Sequence, residues 1–416
     1  MDILDDLKYR GLINQVTDEE GLREALKKPV TFYCGFDPTA SSLHAGNLLI
    51  IVIMMRLQKT GHHPIALVGG GTGMIGDPSG RSTERQLNTK EVVDGFSESL
   101  KTQLSRFLDF DHGTATYLNN SQWLGKLSTI EFLRDVGKHF PLNYMLSKES
   151  VQSRMEAGIS FTEFSYMLLQ SFDYLNLYEN QGCTLEIGGS DQWGNITAGL
   201  ELIRRKGHEK PAFGLTFPLI TKSDGTKFGK SMGGAIWLDP EKTTPYEWYQ
   251  FWINASDDDV VNYLKYFTFL SRDEIEVLAD EVRNHPEERK AQKTLAREMT
   301  KLVHGENALT EAEKITDALF SGDVSQLTAA EIRQGFRAFP TFDAPSKEPV
   351  KLVDLIVEAG VASSKRQARE DIGNGAIYVN GARRTQLDDV LTEQDRIDGR
   401  YIIIRRGKKK YTLIKY

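Results

Sequence analysis

Strand-like and helix-like stretches alternate through the first half of the chain, and this alternation constrains the fold more than any other feature. Residues 30–34 and 64–68 are short apolar runs that end at glycines, as buried strands do. Residues 47–59 have the Leu, Ile and Met content of a buried helix. A strand at 184–187 is followed by a glycine turn and a helix over 192–206. This order predicts an α/β domain with a Rossmann-like parallel sheet and helices on both faces.

At 416 residues the chain is long enough for two or three domains. We expect the α/β domain over 1–222, with a mostly helical insertion near 90–160. An all-α domain follows over 223–334, where strand signals fade. Capping boxes support its helices at 244–247, 271–274 and 328–331. The proline-rich segment 335–350 is typical of a linker. Residues 351–416 contain one predicted helix and an Asn-Gly turn between strands, which predicts a small α+β domain.

The charge is distributed unevenly. Residues 351–416 hold 14 Lys and Arg against 9 Asp and Glu, whereas the rest of the chain holds 37 against 49. A basic tail on an acidic body predicts one docking surface for a polyanion rather than indiscriminate coating of nucleic acid. The two cysteines are far apart, so we expect neither a disulfide framework nor a zinc site. With no long apolar run and an acidic start, we expect no membrane span, no secretory signal and a cytoplasmic location.

Residues 71–76 match the GxGxxG pattern of dinucleotide-binding folds. In those folds the third glycine lies inside a starting helix that faces a pyrophosphate. Here Asp77-Pro78-Ser79-Gly80 follows, which predicts a turn instead of a helix. No Gly-Lys-Ser/Thr follows either, so we expect neither NAD binding nor a Walker A loop.

Two loops have the residue types of a phosphate site. Residues 37–47 join a strand to a helix and carry the donors Thr39, His44 and Asn47, with Gly46 allowing close approach to the backbone. The alternative is an ordinary helix cap. Residues 227–231, Lys-Phe-Gly-Lys-Ser, lie between glycine-containing turns and suit a mobile clamp on phosphates. The alternative is a charged surface loop.

A third pattern lies on a predicted helix. Tyr166, Gln170 and Asp173 are spaced i, i+4, i+7, so they share one stripe of the helix. The residues between them are mostly Met, Leu and Phe, which predicts burial of the other faces. The stripe either faces water or needs polar partners in a pocket.

The order of the two loops resembles that of the HIGH and KMSKS motifs of class I aminoacyl-tRNA synthetases. The tyrosine-specific members are similar in four further segments, residues 33–39, 76–80, 161–166 and the octapeptide 188–195. The tail resembles an S4-type RNA-binding domain. The chain is thus identified as a member of the bacterial-type tyrosyl-tRNA synthetase family. This implies a ligase that activates L-tyrosine with ATP, giving tyrosyl-adenylate and pyrophosphate, and then transfers tyrosine to the 3′ end of tRNA(Tyr).

The resemblance implies a role for each polar residue of the pocket. The tyrosine-binding set is Tyr33, Asp77, Asn120, Tyr166, Gln170, Asp173 and Gln192. In it, Asp173 accepts the hydrogen bond of the substrate phenol, while Asp77, Tyr166 and Gln170 surround the α-ammonium group. These polar groups would be left unpaired by phenylalanine.

The nucleotide site is implied in the same way. The ATP-binding set is Cys34, Gly35, Asp37, Gly46, Asn47, Gly189, Asp191, Arg81 and Arg85. The residues implied in catalysis are Thr39, His44, Lys227, Lys230 and Ser231. Asp191 could instead be a helix N-cap, Cys34 a small buried apolar residue, and the two arginines surface charge. We expect Mg²⁺ to arrive with ATP and no metal held by the protein alone.

A tRNA partner and a homodimer, formed through the helical segment near 130–160, are also implied. The tRNA-binding set is Arg204, Arg205, Lys206, Lys365, Arg366, Arg369, Arg405, Arg406, Lys408, Lys409 and Lys410. Arg204, Arg205 and Lys206 could instead lie at the end of a helix only because positive charge is favourable there. The others could be a run of charged residues that faces solvent.

The chain departs from the family pattern at three places. The first motif reads His44-Ala45-Gly46-Asn47, the second has Phe228-Gly229 in place of Met-Ser, and Glu186 stands where Gln is expected. Two other functions remain open. Another nucleotidyltransferase would share the first loop but need neither the Asp173 stripe nor the basic tail. An RNA-binding protein without catalysis would not need the phosphate-site residues.

Overall fold

The computed structural model describes residues 2–156, 158–231 and 234–416. Contacts divide the chain into two compact units. The first comprises residues 1–242 and 255–291, and the second comprises residues 243–254 and 292–416.

The helices of the described residues are given in chain order. They are α1 (Ile3–Tyr9), α2 (Glu19–Ala25), α3 (Ala45–Lys59), α4 (Lys90–Leu104), α5 (Ser121–Leu124), α6 (Thr129–Asp135), α7 (Leu142–Leu146), α8 (Glu149–Gln152), α9 (Phe161–Gln181), α10 (Trp193–Arg205), α11 (Pro245–Ile253), α12 (Asp257–Phe267), α13 (Arg272–Asn284), α14 (Lys290–His304), α15 (Glu306–Ser321), α16 (Ala329–Gly335), α17 (Leu352–Glu358) and α18 (Lys365–Gly373).

The strands are numbered in the same way. They are β1 (Gln15–Val16), β2 (Thr31–Phe36), β3 (His63–Val68), β4 (Thr116–Asn119), β5 (Cys183–Gly189), β6 (Phe213–Phe217), β7 (Lys230–Ser231), β8 (Gly234–Ala235), β9 (Thr341–Asp343), β10 (Val350–Lys351), β11 (Ile377–Val379), β12 (Ala382–Arg384), β13 (Val390–Leu391), β14 (Tyr401–Arg406) and β15 (Lys410–Lys415).

The main sheet has the strand order β1-β6-β5-β2-β3-β4. All its pairings are parallel except that of β1 with β6. The chain runs outward from β2 through β3 to β4 and then returns to β5 on the other side of β2. The point where the strand order reverses therefore lies between β2 and β5, and ligands of such sheets bind at the carboxyl ends of the strands there. The predicted Rossmann-like α/β fold is confirmed.

Burial explains why these strands lie in the centre of the sheet. Every residue of β5 is buried, and five of the six residues of β3 are buried, so both strands are covered on both faces. Helix α3 is buried along most of its length, as its apolar composition predicts. Helix α9 begins at the cap Ser160, ends at Gly182 with φ 62°, and packs against α10.

The segment near 90–160 contains more than inserted helices. β4 pairs with β3 in parallel and forms the edge of the main sheet. Its sequence, Thr-Tyr-Leu-Asn, is polar because an edge strand is less buried than the central ones, so it gives no apolar run to detect. Helix α4 is thus a crossover of the sheet, and the helices α5–α8 follow it.

The second unit has a helical part and a five-stranded sheet of order β12-β11-β14-β15-β9. All three predicted capping boxes are present, two in this unit and one at α13 in the first. The turn between β11 and β12 has positive φ at both Asn380 and Gly381, as an Asn-Gly hairpin requires. Part of the predicted linker is a strand, because β9 pairs in parallel with β15. No helix in the described part of the chain is long and apolar enough to cross a membrane.

Candidate active site

A cavity of about 470 Å³ opens at the carboxyl ends of β2 and β5, where the strand order reverses. It is lined by all seven residues predicted to bind tyrosine and all nine predicted to bind ATP. Thr39 and His44 also line it. Lys227 and Lys230 lie outside the lining on exposed positions, and the side chain of Ser231 is outside the described residues. The cavity thus unites side chains from distant parts of the sequence.

Asp173 occupies one end of the cavity and is only 2% exposed. Its Oδ1 accepts a hydrogen bond from Trp123 Nε1 at 2.7 Å, and its Oδ2 accepts one from Asn120 Nδ2 at 2.9 Å. Burial raises the pKa of Asp173 to about 8, and the two donors oppose that shift. Sequence reasoning missed Trp123, whose signal was its position one turn after Asn120. The carboxyl group is therefore held in one orientation by two neutral donors.

Asp37 lies within the same polar network, although the sequence assigned it to ATP. Its carboxylate accepts hydrogen bonds from the Tyr166 hydroxyl and from Thr72 Oγ1, both at 2.7 Å. Burial raises the pKa of Asp37 to about 6. Asp37 is thus bonded directly to Tyr166, a residue of the predicted tyrosine set.

Asp77 is buried and connects the turn after the GxGxxG-like segment to the octapeptide. It accepts hydrogen bonds from the Ser79 N–H at 2.9 Å and from Gln192 Nε2 at 2.7 Å. Only a three-residue 3₁₀ turn, Thr72–Met74, follows the strand, so the predicted absence of a dinucleotide-type helix is confirmed.

Gln170 links the helix stripe to the sheet. Its Nε2 donates to Glu186 Oε1 at 2.9 Å and to Gln192 Oε1 at 3.1 Å. Burial raises the pKa of Glu186 to about 7. Glu186 stands where the family pattern has Gln. Its negative charge is therefore reduced by protonation in the neutral range. The stripe of Tyr166, Gln170 and Asp173 faces the cavity and not the solvent.

His44 is the N-cap of α3 at the other end of the cavity. Its Nδ1 accepts the Gly46 N–H at 3.0 Å, and its own N–H donates to Asn47 Oδ1 at 3.1 Å. Burial, and then the charge of Lys230, lower the pKa of His44. The ring is therefore neutral with its proton on Nε2. The helix-cap interpretation is correct for the local hydrogen bonds, and it leaves one donor available.

The two loop motifs approach each other through their glycines. The Gly229 carbonyl accepts the Ile236 N–H at 3.0 Å, and the Ile236 carbonyl accepts the Ala45 N–H at 2.8 Å. A Cβ on Gly229, which has φ 80°, would lie 3.1 Å from Gly46 N. Phe228 anchors the second loop by packing against Phe267 with ring centroids 5.2 Å apart.

Asp191 does not cap α10. The N-cap of that helix is Gln192, which forms no side-chain cap bond, so the N-cap alternative for Asp191 is wrong. Burial, and then Asp77, raise the pKa of Asp191. A Cβ at Gly80 would lie 3.3 Å from Asp191 Oδ2, so the turn after Asp77 packs closely on this carboxylate.

The predicted tRNA-binding residues differ in whether their side chains form ion pairs within the protein. Arg204 binds Glu201 at 2.8 Å, Lys365 binds Asp354 at 2.7 Å and Arg406 binds Asp371 at 2.9 Å. Arg205 also pairs with Glu201, and the Arg405 guanidinium lies 4.0 Å from the Tyr378 ring centroid. The other predicted tRNA contacts are exposed: Lys206, Arg366, Arg369, Lys408, Lys409 and Lys410. The last three belong to the hairpin between β14 and β15.

Comparisons with known proteins agree with this geometry. Residues 25–321 match the family model described as tRNA synthetases class I (W and Y). Residues 331–414 match the Tyrosine--tRNA ligase SYY-like C-terminal domain. A mitochondrial tyrosyl-tRNA synthetase of Aspergillus nidulans, solved in C-terminally truncated form, is 33% identical with a TM-score of 0.67. The match covers 76% of this chain and 94% of that one.

Full-length relatives are closer in sequence. Tyrosine--tRNA ligase 1 of Bacillus anthracis is 64% identical, and tyrosine--tRNA ligase of Geobacillus stearothermophilus is 63% identical. Both alignments cover all of this chain and all of the relative. Since both parts of the chain match and the cavity unites the predicted residues, the chain belongs to the tyrosine–tRNA ligases, the class I synthetases that use ATP to join L-tyrosine to its tRNA.

Proposed function

We propose that L-tyrosine lies in the cavity with its phenol hydroxyl at Asp173 and its α-ammonium group among Asp37, Asp77, Tyr166 and Gln170. One observation carries this placement: Trp123 and Asn120 hold both oxygens of a buried carboxyl group that lines the cavity. A hydroxyl can donate a further hydrogen bond to a carboxylate fixed in this way, whereas the phenyl ring of phenylalanine offers it no donor. Tyr33 lies on β2 as the register partner of Glu186 on β5, and it interacts with Asp173. In this proposal it completes the phenol end.

ATP then occupies the other end, beside the N-terminus of α3. The positive end of this helix dipole attracts phosphate oxygens, and His44 Nε2–H adds a donor. Thr39 binds the departing phosphates with His44, while Lys227, Lys230 and Ser231 close over them and Arg81 and Arg85 assist. Asp191 accepts hydrogen bonds from the ribose, and Cys34, Gly35, Gly46, Asn47 and Gly189 shape its surroundings.

The carboxylate of tyrosine attacks the α-phosphorus of ATP, and the bond to pyrophosphate breaks. The carboxylate is already ionised, so this step needs no general base. Positioning and the donors at the leaving phosphates lower the barrier. A terminal ribose hydroxyl of tRNA then attacks the tyrosyl carbonyl, and AMP leaves.

Mg²⁺ enters with ATP in this proposal. The donor set fits that role, because the carboxylates near the tyrosine end are engaged in protein hydrogen bonds and Asp191 remains at the nucleotide end. Mg²⁺ typically keeps phosphate and water oxygens as ligands rather than entering an all-protein cage. When bound, it neutralises charge on the phosphates.

A homodimer is supported by the segment predicted to form it. Ile130, Leu133, Leu142, Met155 and Phe161 are all exposed apolar residues within or beside residues 130–160. Several exposed apolar residues within one short stretch of sequence are expected of a segment that forms an interface. Phe161→Asp is expected to shift the sedimentation of the protein toward a monomer. A cytoplasmic location and contact of tRNA with the exposed basic residues belong to the same proposal.

Tyrosine-dependent exchange of pyrophosphate into ATP tests the proposed placement. The wild type should catalyse exchange with L-tyrosine, and Asp173→Asn should raise the dissociation constant of tyrosine. Asn has nearly the same shape but cannot ionise, and it replaces one carboxylate oxygen at the phenol end by an amide donor. Unchanged tyrosine affinity in Asp173→Asn would contradict the placement. Exchange without any amino acid would instead favour another nucleotidyltransferase, and no exchange would favour the RNA-binding alternative.

A further inference from the structure

Two buried polar groups on the sheet face of the cavity have unused bonding capacity. Tyr33 and Glu186 are register neighbours on β2 and β5, so their side chains lie on the same face of the sheet. They are 1% and 2% exposed. The Tyr33 hydroxyl and the Glu186 carboxyl lie close enough to interact, but neither the hydroxyl nor Glu186 Oε2 makes a hydrogen bond of standard geometry within the described ranges. Because unpaired buried polar groups are costly, these atoms point to a role for the occupant of the cavity.

The other oxygen of Glu186 fixes the orientation of Gln170. Glu186 Oε1 and Gln192 Oε1 both accept from Gln170 Nε2, so the amide carbonyl of Gln170 faces away from them. An ionised carboxylate can only accept hydrogen bonds, so it admits only this orientation of the amide. A protonated carboxyl or a glutamine side chain can also donate, so either would leave Gln192 Oε1 as the acceptor that opposes the flipped amide.

We propose that Glu186 is a proton-linked positioning residue for tyrosine: its ionised form holds the Gln170 carbonyl toward the α-ammonium group and adds negative charge to the cavity. This inference rests on the proposed placement of tyrosine. The glutamine expected at this position in the family would supply neither the charge nor a second group that can only accept from Gln170.

The surroundings of Glu186 determine the direction of the proton linkage. The ionisable groups that interact with it are Tyr33 and Cys34 from β2, Asp173 and Tyr174 from α9, and Cys183 from its own strand. None of these five is a cation, so the positive charge that favours ionised Glu186 is that of the substrate. Burial raises the pKa of Glu186 to about 7, while the nearby polar groups of Gln170 and Tyr33 oppose that rise. Tyrosine binding should therefore release a proton, and affinity should fall as the pH drops through this range.

The test compares tyrosine dissociation constants, measured by equilibrium dialysis from pH 6 to pH 8.5, for the wild type, Glu186→Gln and Glu331→Gln. Glu331 is a buried acid paired with Lys314 in the second unit and serves as the matched control. At pH 6 the wild type and Glu186→Gln should differ by about twofold or less, because a group with pKa near 7 is only about one-tenth ionised there. At pH 8 the group is about nine-tenths ionised, and the wild type should bind about tenfold more tightly than Glu186→Gln. Asp37 and Asp173 titrate in both proteins, and the charge of Glu186 raises the pKa of Asp173, so the ratio reports the ionisation of Glu186 together with this coupling.

A constant ratio across the pH range would mean that Glu186 is merely structural and would overturn the proposal. Glu331→Gln should follow the wild type throughout. Calorimetry in two buffers of different ionisation enthalpy, at pH 7, provides a measurement on the wild type alone. Proton release on tyrosine binding is expected there, and its absence would overturn the proposal even if Glu186→Gln failed to fold.

Asp173→Asn separates the two proposals. If it leaves tyrosine affinity unchanged, the placement of tyrosine is wrong. If it weakens binding while the ratio of wild type to Glu186→Gln stays constant with pH, only the role of Glu186 is wrong.

Discussion

A single imidazole combines two tasks at His44 because its two nitrogens are distinct. Nδ1 accepts the Gly46 N–H and thereby caps α3, which leaves the proton on Nε2. The same bond sets the ring orientation, so the donor is fixed before any phosphate arrives. Such preorganised donors are effective where charge develops in a transition state.

His44→Ala should therefore slow tyrosyl-adenylate formation. We expect the barrier to rise by about 2–4 kcal/mol, the scale of one lost transition-state donor. Tyrosine affinity should change little, because His44 lies at the phosphate end. Stopped-flow single-turnover kinetics measure the rate, and dialysis measures the affinity. A large rise in the tyrosine dissociation constant with a normal single-turnover rate would refute this role.

Trp123→Phe tests the support of Asp173. The variant keeps an aromatic ring but removes the Nε1–H that donates to Asp173 Oδ1. Loss of a hydrogen bond to a charged group costs about 1.5–3 kcal/mol, so the tyrosine dissociation constant should rise roughly 10- to 100-fold. Weak inhibition by phenylalanine, which lacks the hydroxyl, should change much less. Equal losses for both amino acids would indicate a general collapse of the cavity instead.

At the scale of elements, the two loop motifs meet through backbone rather than side chains. Gly229 has φ 80°, and its Cα lies so near α3 that a β-carbon would be 3.1 Å from Gly46 N. The glycine at this departure from the family pattern therefore permits both a left-handed conformation and the close approach.

Gly229→Ala should impair closure of the second loop, with Gly225→Ala as its control. Gly225 has φ 79°, but a β-carbon there meets nothing within 4 Å, so both variants have the same conformational strain. Only the first adds a contact with the loop that bears His44. Adenylate formation should slow by about tenfold more in Gly229→Ala, a difference of roughly 1.4 kcal/mol. Equal rates in the two variants would show that the contact is unimportant.

Much of this architecture could be predicted from local patterns. Apolar runs ending at glycines located β2, β3 and β5, and the three capping boxes located helix starts. β4 and β9 could not be predicted, since a polar edge strand and a three-residue strand in a proline-rich segment carry no periodic signal. The i, i+4, i+7 stripe indicated one shared face of α9. Trp123 was missed because its bond to Asp173 joins residues 50 apart, which no local pattern reveals.

For the whole molecule, the division of charge suggests that activation and tRNA binding can be perturbed separately. The basic hairpin residues Lys408, Lys409 and Lys410 are exposed in the second unit, whereas the cavity belongs entirely to the first. Phosphate contacts contribute affinity that depends on salt concentration and not on base sequence.

Replacing Lys408, Lys409 and Lys410 with Ala should weaken tRNA binding and reduce its dependence on salt. Each lost phosphate contact lowers the slope of log K against log salt by about 1. Tyrosine-dependent pyrophosphate exchange should be unchanged. Lys27 and Lys28, exposed in the first unit, provide a control with two charges removed elsewhere. An unaltered salt slope would show that the hairpin does not touch the phosphate backbone.

The cap formed by His44 has a consequence for how the enzyme responds to acid. Because the ring enters the neutral range already deprotonated, His44 keeps one charge state there while the amino-acid end still titrates. The acidic limb of the rate profile at subsaturating tyrosine should thus follow occupancy of the amino-acid end. At saturating tyrosine the rate should fall less as the pH is lowered. The loss of activity at lower pH is then due to incomplete occupancy by tyrosine, which added substrate restores.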